Sequence, residues 1–438
     1  MITNISNKPI CLIQSPCFTR SGYGDWSLDL VKSILRYDKW NVKLHPTRWG
    51  GTPNKYTIED LLADPDYKEL VPYVLREPLK KQPDLFIQIT IPSEFNPVGK
   101  YNIGITAGIE TTTPAGEWID GLNRMNMNIV MSKFNKDVFM ATQYIKNHPD
   151  GRKEPLKVEK PMEICHWGVD TTTFKKTTDK DDELEKIFAT IKEDFCFLFV
   201  GQWTHNSAYG DRKDIGNLIK TFCKTFQNQD NKPALILKTS GVNYSAPDRY
   251  HTIDKIQKIR KECGENIPEV YLIHGELSRN QMNCLMNHEK VKAHVSFTHG
   301  EGFGHPLLQA AVSGKPVIAP KWSGHMDFLP EGQATHFKGE LKPVSPESVN
   351  QWIIKEASWF HVDYDAAANL FKKIRNGELD LTEKYDKLRQ VCEKDFSISA
   401  MDKKLHDILA KNVPEFAVEK PIVLPKLKKL TPVSTVPV

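Results

Sequence analysis

The sequence predicts an α/β protein made of two Rossmann-like units, and three observations point there. Two strongly apolar runs, 9–15 (PICLIQS) and 195–200 (FCFLFV), each enter a glycine-containing turn and then a stretch of helical periodicity. Residues 294–329 read as strand, turn, helix and strand. An apolar run at 294–297 meets a turn of Gly300, Glu301, Gly302, Phe303 and Gly304, and a helix follows with Pro306 first and Leu307, Leu308, Ala311 and Val312 as its buried stripe. Gly314 suits a left-handed cap, and 316–319 returns to the sheet. Finally, 438 residues exceed one ordinary core, so two or three domains are expected.

Composition narrows the class. Hydrophobic residues at 39% and charged residues at 26% are those of a globular protein. No apolar run reaches about 18 residues, so no membrane span is expected. Residues 1–10 are too polar for a secretory leader, and the expected location is cytoplasmic, in the host cytoplasm if the protein is viral. The 8 cysteines are scattered without a C-x-x-C pair and read as reduced packing residues. A net charge of +4 permits an anionic acceptor without requiring one.

In chain order, the first strand feeds PCFTRSGYGDW and a helix with Trp26, Leu30, Ile34 and Leu35 on one face. Arg20 and Gly22 lie in that first turn, where two glycines taken alone are a weak signal. A second strand is expected at 41–46, then a polar segment to Gln82 with the helical pattern Leu61, Leu62, Leu70, Val74. Its Asp64 and Asp66 flank Pro65 in a loop, a poor metal site. Strands are expected at 84–90 and 101–105. Glu110, Thr111 and Thr112 then fall at a strand's carboxyl end, where open α/β sheets bind ligands; a helix-start role for Glu110 is the competing reading.

The first unit closes with strands near 129–132 and 163–170, and a solvated linker spans 171–185. After 195–200 come Gly201, Gln202 and Trp203, a polar loop, and a helix carrying Ile215, Leu218, Ile219, Phe222 and Phe226. Arg212 and Lys213 are read at that helix's beginning, where cations oppose the dipole and a bound diphosphate resolves the conflict. Strands 234–238, ending at Lys238, and 270–273 follow, with 255–262 as a charged surface helix. Residues 340–381 are read as helical and 395–409 as a terminal helix. The Pro- and Lys-containing stretch 412–438 is read as an extended tail.

The stretch EGFGHPLLQAAVSGKPVIA resembles the donor-site signature of retaining nucleotide-sugar glycosyltransferases of the GT-B fold, family four. A phage-type member is one form this takes. The resemblance covers most of residues 9–410, strongest at 195–330. It implies two Rossmann-like domains facing each other across a cleft: an acceptor-side domain (1–170), a donor domain (171–394) and a helix crossing back (395–411), with the tail (412–438) outside it. It also implies a nucleoside-diphosphate sugar as co-substrate, with no cofactor and no metal.

In that family a pair of glutamates holds donor sugar and ribose; here Glu301 matches the first and Gln309 replaces the second. The family's Gly-Arg, followed in the next loop by Lys, is matched by Gly201 and Lys213, with Gln202 in place of the Arg and Arg212 as a neighbouring substitute. Catalytic candidates are therefore Lys213, Arg212 and Glu301. Donor-binding candidates are Gly22, Gly201, Gln202, Lys238, Gly302, Phe303, Gly304 and Gln309. Acceptor-side candidates are Arg20, Glu110 and Thr111, since Ala107 and Gly108 stand where many relatives place a histidine.

Two rivals share the architecture. A phage enzyme that glycosylates hydroxymethylated pyrimidines in DNA needs a basic cleft, to which Arg20, Arg48, Arg124, Lys133 and Lys136 contribute. A catalytically silent sugar-nucleotide-binding protein is the reading that Gln202 and Gln309 keep open.

Overall fold

The computed structural model describes residues 8–52, 57–241 and 243–417. The first half runs β1 (Ile10–Ser15), α1 (Gly22–Tyr37), β2 (Asn41–Pro46), α2 (Ile58–Ala63), β3 (Leu85–Ile89), β4 (Tyr101–Thr106), α3 (Gly116–Arg124), β5 (Met127–Val130), α4 (Lys133–Ala141), β6 (Gln143–Asn147), β7 (Lys153–Lys157) and β8 (Met162–Ile164). Six strands form a parallel sheet in the order β2-β1-β3-β4-β5-β8. Every residue of the central strand β3 is buried, whereas the edge strand β2 alternates, burying Val42 and Leu44. Ser21 caps α1 by accepting from the Gly24 amide at 3.0 Å, and Asp38 ends the helix in the left-handed region.

The second half contains α5 (Asp182–Ala189), β9 (Cys196–Val200), α6 (Ile215–Thr225), β10 (Ala234–Lys238), α7 (Ala246–Cys263), β11 (Val270–Ile273), α8 (Arg279–Asn287), β12 (Val291–Val295), α9 (His305–Val312), β13 (Val317–Pro320), β14 (Thr335–Phe337), β15 (Gly339–Pro343), β16 (Ser358–Val362), α10 (Tyr364–Arg375), α11 (Thr382–Asp395) and α12 (Ile398–Asn412). Its parallel sheet has the order β11-β10-β9-β12-β13-β14. The chain reverses its winding between β9 and β12, which opens a crevice at their carboxyl ends.

Helix α12 returns to the first sheet's side. Arg36 on α1 makes a bidentate pair with Asp402 at 2.7 Å, and His406 Nε2 donates to the Ser33 carbonyl at 2.9 Å. Met401, Leu405, Ile408 and Leu409 supply its buried face. At the crossing, the Val169 and Ile398 amides bond to the Phe396 and Val169 carbonyls at 2.7 and 2.9 Å.

Several local expectations are corrected. Of residues 340–381, read as helical, those up to 362 belong to the antiparallel hairpin β15–β16. Gly339, Pro343 and Pro346 interrupt helix there, and the aromatic and β-branched run of β16 favours a strand. A second hairpin, β6–β7, falls in a stretch left without an assignment. The strand read at 294–297 is β12, displaced toward the N-terminus, and α9 begins at His305, so Pro306 is its second residue. Lys255 is buried rather than on the surface, because its ammonium donates to the Trp203 and His205 carbonyls at 3.2 and 3.1 Å. All 8 cysteines are free. Among the described residues no helix is long and apolar enough to cross a membrane. The tail reading at 418–438 lies outside the described residues.

Candidate active site

The crevice between β9 and β12 is furnished by the loops that leave those strands. Val200 ends β9, and Gly201 turns the chain with its amide on the Lys238 carbonyl at 3.1 Å. The loop then reaches Asp211, Arg212, Lys213 and Asp214 before α6 begins at Ile215. Arg212 and Lys213 therefore precede the helix instead of occupying its first turn. The dipole conflict expected there is met by Asp211, whose carboxylate accepts from the Lys213 amide at 3.1 Å, and by Asp214 at the N-cap. Asp214 accepts from Tyr364 and Asn217, each at 2.7 Å. Burial pushes the Asp211 carboxyl up to about 7 and that of Asp214 up to about 6.

Lys213 pairs directly with Glu301, which leaves β12 on the glycine-rich turn. The Arg212 guanidinium lies 3.4 Å from the second Glu301 oxygen and donates to the Gly300 carbonyl at 2.5 Å. It also lies 3.5 Å from the Glu110 carboxylate in the loop after β4. The Glu301 amide donates to Ser323 Oγ at 2.9 Å, fixing the turn against the loop after β13. Burial alone would raise the Glu301 carboxyl, but Lys213 and Arg212 outweigh it and hold the group at about 2. A buried carboxylate thus stays ionised between two cations, 88 residues away in sequence from its lysine.

The two domains meet at this point. A Cβ on Gly300 would lie 2.1 Å from the Glu110 carbonyl oxygen, and one on Gly302 would lie 2.5 Å from that of Ala107. The glycines therefore admit the backbone of the opposite domain. Thr112 docks beside them: its amide donates to the Ser358 carbonyl at 2.9 Å, and its hydroxyl accepts from the Ser358 amide at 2.8 Å. The β15–β16 hairpin backs the turn from behind. His299 Nδ1–H donates to the Phe360 carbonyl at 2.6 Å, and its ring stacks on Trp359 at 4.4 Å.

A second polar group lies further along the same junction. Arg20 contacts Glu276 at 3.1 Å and lies within 3.8 and 4.0 Å of Asp64 and Asp66. Both carboxylates of the Asp-Pro-Asp stretch thus face an arginine. Arg279 lies 3.9 Å from Asp29, which also accepts from Trp167 Nε1 at 2.8 Å. Lys238 donates to the Gly275 carbonyl at 2.6 Å beneath the Tyr244 ring, and burial pulls its ammonium down to about 8.

The structure therefore brings Arg212, Lys213, Glu301 and Glu110 into contact, with Gly201 alongside the Lys213 stem. Arg20 and Lys238 belong to the second group. Gly22 opens α1, with no atom within 4 Å of the place its side chain would take. Gly302 and Gly304 lie in the Glu301 turn, and Gly304 is the N-cap of α9 with φ of 89°. Gln202 is exposed; Gln309 is half-buried and makes no side-chain hydrogen bond among the described residues.

Two candidates have side chains that point elsewhere. The Thr111 hydroxyl is buried and donates to the Thr113 carbonyl at 3.2 Å. The Phe303 ring packs into an aromatic core with His166, Phe328 and Phe396. Glu110 is not at a helix start, since α3 begins at Gly116. Of the cations weighed for a DNA cleft, Arg124 donates to the Phe95 and Ser93 carbonyls, and Lys133 pairs with Asp137.

Sequence reasoning passed over Ser323, Asp211 and Asp214. The first lies in a Ser-Gly pair after a strand; Asp211 acts through the Lys213 amide and Asp214 through the Tyr364 and Asn217 side chains, and neither carries a motif. Among the described residues no group of three or more His, Cys, Asp or Glu is arranged to hold a metal.

No protein-family model matches the chain, and a sequence search of curated proteins finds no match. Solved structures do resemble it in fold. Alr3699/HepE from Anabaena, in complex with UDP and glucose, superposes with a TM-score of 0.61 at 13% identity, covering 92% of this chain and 100% of that one. A glycosyltransferase from Rickettsia africae gives 0.59 at 11% identity, over 92% of this chain and 98% of that one. Sucrose-phosphate synthase from Thermosynechococcus elongatus gives 0.58 at 14% identity, with the same coverage of 92% and 98%. Two parallel sheets wound in this way are the GT-B glycosyltransferase fold.

Proposed function

We propose that the protein is a retaining glycosyltransferase that moves a sugar from a nucleoside-diphosphate sugar to a hydroxyl acceptor, without a metal. One observation carries this reading: two cations, Arg212 and Lys213, converge with Glu301 at the β9/β12 crossover, facing the other domain. A crossover crevice is where sheets of this winding bind nucleotides. The fold neighbour crystallised with UDP and glucose fits the same substrate class.

On this reading Lys213 and Arg212 take the diphosphate, on which negative charge grows as the glycosidic bond breaks. Glu301 loses part of its pairing to the cations and accepts from the sugar's hydroxyls, while the Phe303 and Gly304 amides orient it. Gln309, with no competing bond, holds ribose. The acceptor attacks from the face the diphosphate leaves, and the departing phosphate takes its proton. The domains part to admit the donor and close to exclude water.

The test is release of nucleoside diphosphate from UDP-, GDP-, ADP- and dTDP-sugars, with and without pooled acceptors that include glycans and hydroxymethylcytosine DNA. Release with one donor that rises on adding an acceptor identifies both substrates. Binding with no release in any pool favours a silent sugar-nucleotide protein. A stereochemical assay of the product checks retention.

A further inference from the structure

We infer that Glu110 is an internal stand-in for the donor's diphosphate, so that nucleotide binding must displace it from Arg212. This rests on the glycosyltransferase reading and deepens it to the regulation of that site.

Charge and geometry support it. Arg212 is shared by two carboxylates from opposite domains, Glu301 at 3.4 Å and Glu110 at 3.5 Å. Glu301 has a second cation in Lys213; Arg212 is the one ion-pair partner of Glu110 among the described residues. With the domains closed as here, the Glu110 backbone is held in place, because its carbonyl lies over Gly300 and Thr112 is bonded both ways to Ser358. A carboxylate is thereby held where a phosphate oxygen would bond the same guanidinium, and an arginine fork binds either anion.

Two consequences follow. A diphosphate arriving at Arg212 competes with Glu110, so the empty protein binds its donor less tightly than the cations alone would allow. Once displaced, Glu110 faces the cleft from the acceptor side with an uncompensated charge that hydroxyl groups can satisfy. Donor then precedes acceptor, and Glu110 is a positioning residue acting through Arg212.

The experiment is calorimetric titration of the full-length wild type and of Glu110→Gln with UDP, with GDP and ADP in parallel. Thermal melting of the unliganded proteins checks that the isosteric variant is folded. Because the pair is partly exposed, Glu110→Gln should bind the preferred nucleotide about three- to tenfold more tightly. A purely structural role would leave affinity unchanged or weaken it. Thr112→Val, which loosens the same loop while keeping the carboxylate, should not tighten binding. Unchanged or weaker binding by Glu110→Gln beside a wild type that binds overturns the inference and leaves the transferase reading standing. Equal tightening by both variants also overturns it, since loop freedom would then be the cause. Failure of the wild type to bind any of the three removes both.

Discussion

Glu301 carries the most information of any single residue, because its ionised state depends on partners the local sequence does not contain. With the carboxyl held at about 2 against an ordinary 4.5, folding favours the charged form. That contribution is complete above pH 4.5 and is lost as pH falls toward 2. The stability gap between wild type and Glu301→Gln, measured by urea unfolding, should shrink by roughly 3 kcal/mol between pH 5 and pH 2. A pH-independent gap would show that the pairing is not the source. Lys213→Ala should lower transfer by about a hundredfold or more while the protein stays folded by circular dichroism; near-normal turnover would remove the lysine from its assigned role. These residues were legible as candidates, since Glu301 and Lys213 sit in recognisable strand-to-helix turns. The partnership of Arg212 with Glu110 was not, because it joins loops of different domains.

The turns and hairpins at the junction decide whether those side chains meet. Gly300 and Gly302 are required by the approach of the Glu110 and Ala107 carbonyls. Gly300→Ala should still bind nucleoside diphosphate within a few-fold of wild type, since the cations stand on the second domain. Transfer should fall about a hundredfold, as closure is blocked by an ångström or more. Small-angle scattering with saturating nucleotide would then show the variant failing to compact; normal compaction would contradict the close-approach account. The β15–β16 hairpin was missed because its charged, exposed β15 has no apolar alternation to betray a strand. Its importance comes from β16, which touches His299 on one side and Thr112 on the other.

On the scale of the whole molecule, α12 ties the two sheets into one body. Leu405, on the face of α12 that packs inward, is fully buried, and Leu405→Ala should cost about 3 kcal/mol and lower the thermal midpoint by several degrees. A loss below about 0.5 kcal/mol would mean that α12 is only loosely docked. The sequence by itself determined the fold class and most of the parallel strands, but not the two antiparallel hairpins. Buried strands, capped helices and glycine turns are local patterns, set by backbone geometry and by which residues avoid water. It also marked Arg212 and Lys213, as cations read at a helix start, and Glu301, through the resemblance of its glycine-rich turn. Only the tertiary structure decided that glycines of the donor turn receive the other domain's backbone, that Asp211 and Asp214 answer the helix dipole, and that Glu110 reaches Arg212. Those contacts join residues far apart in the chain, and their energies depend on distance and burial, which no local pattern encodes.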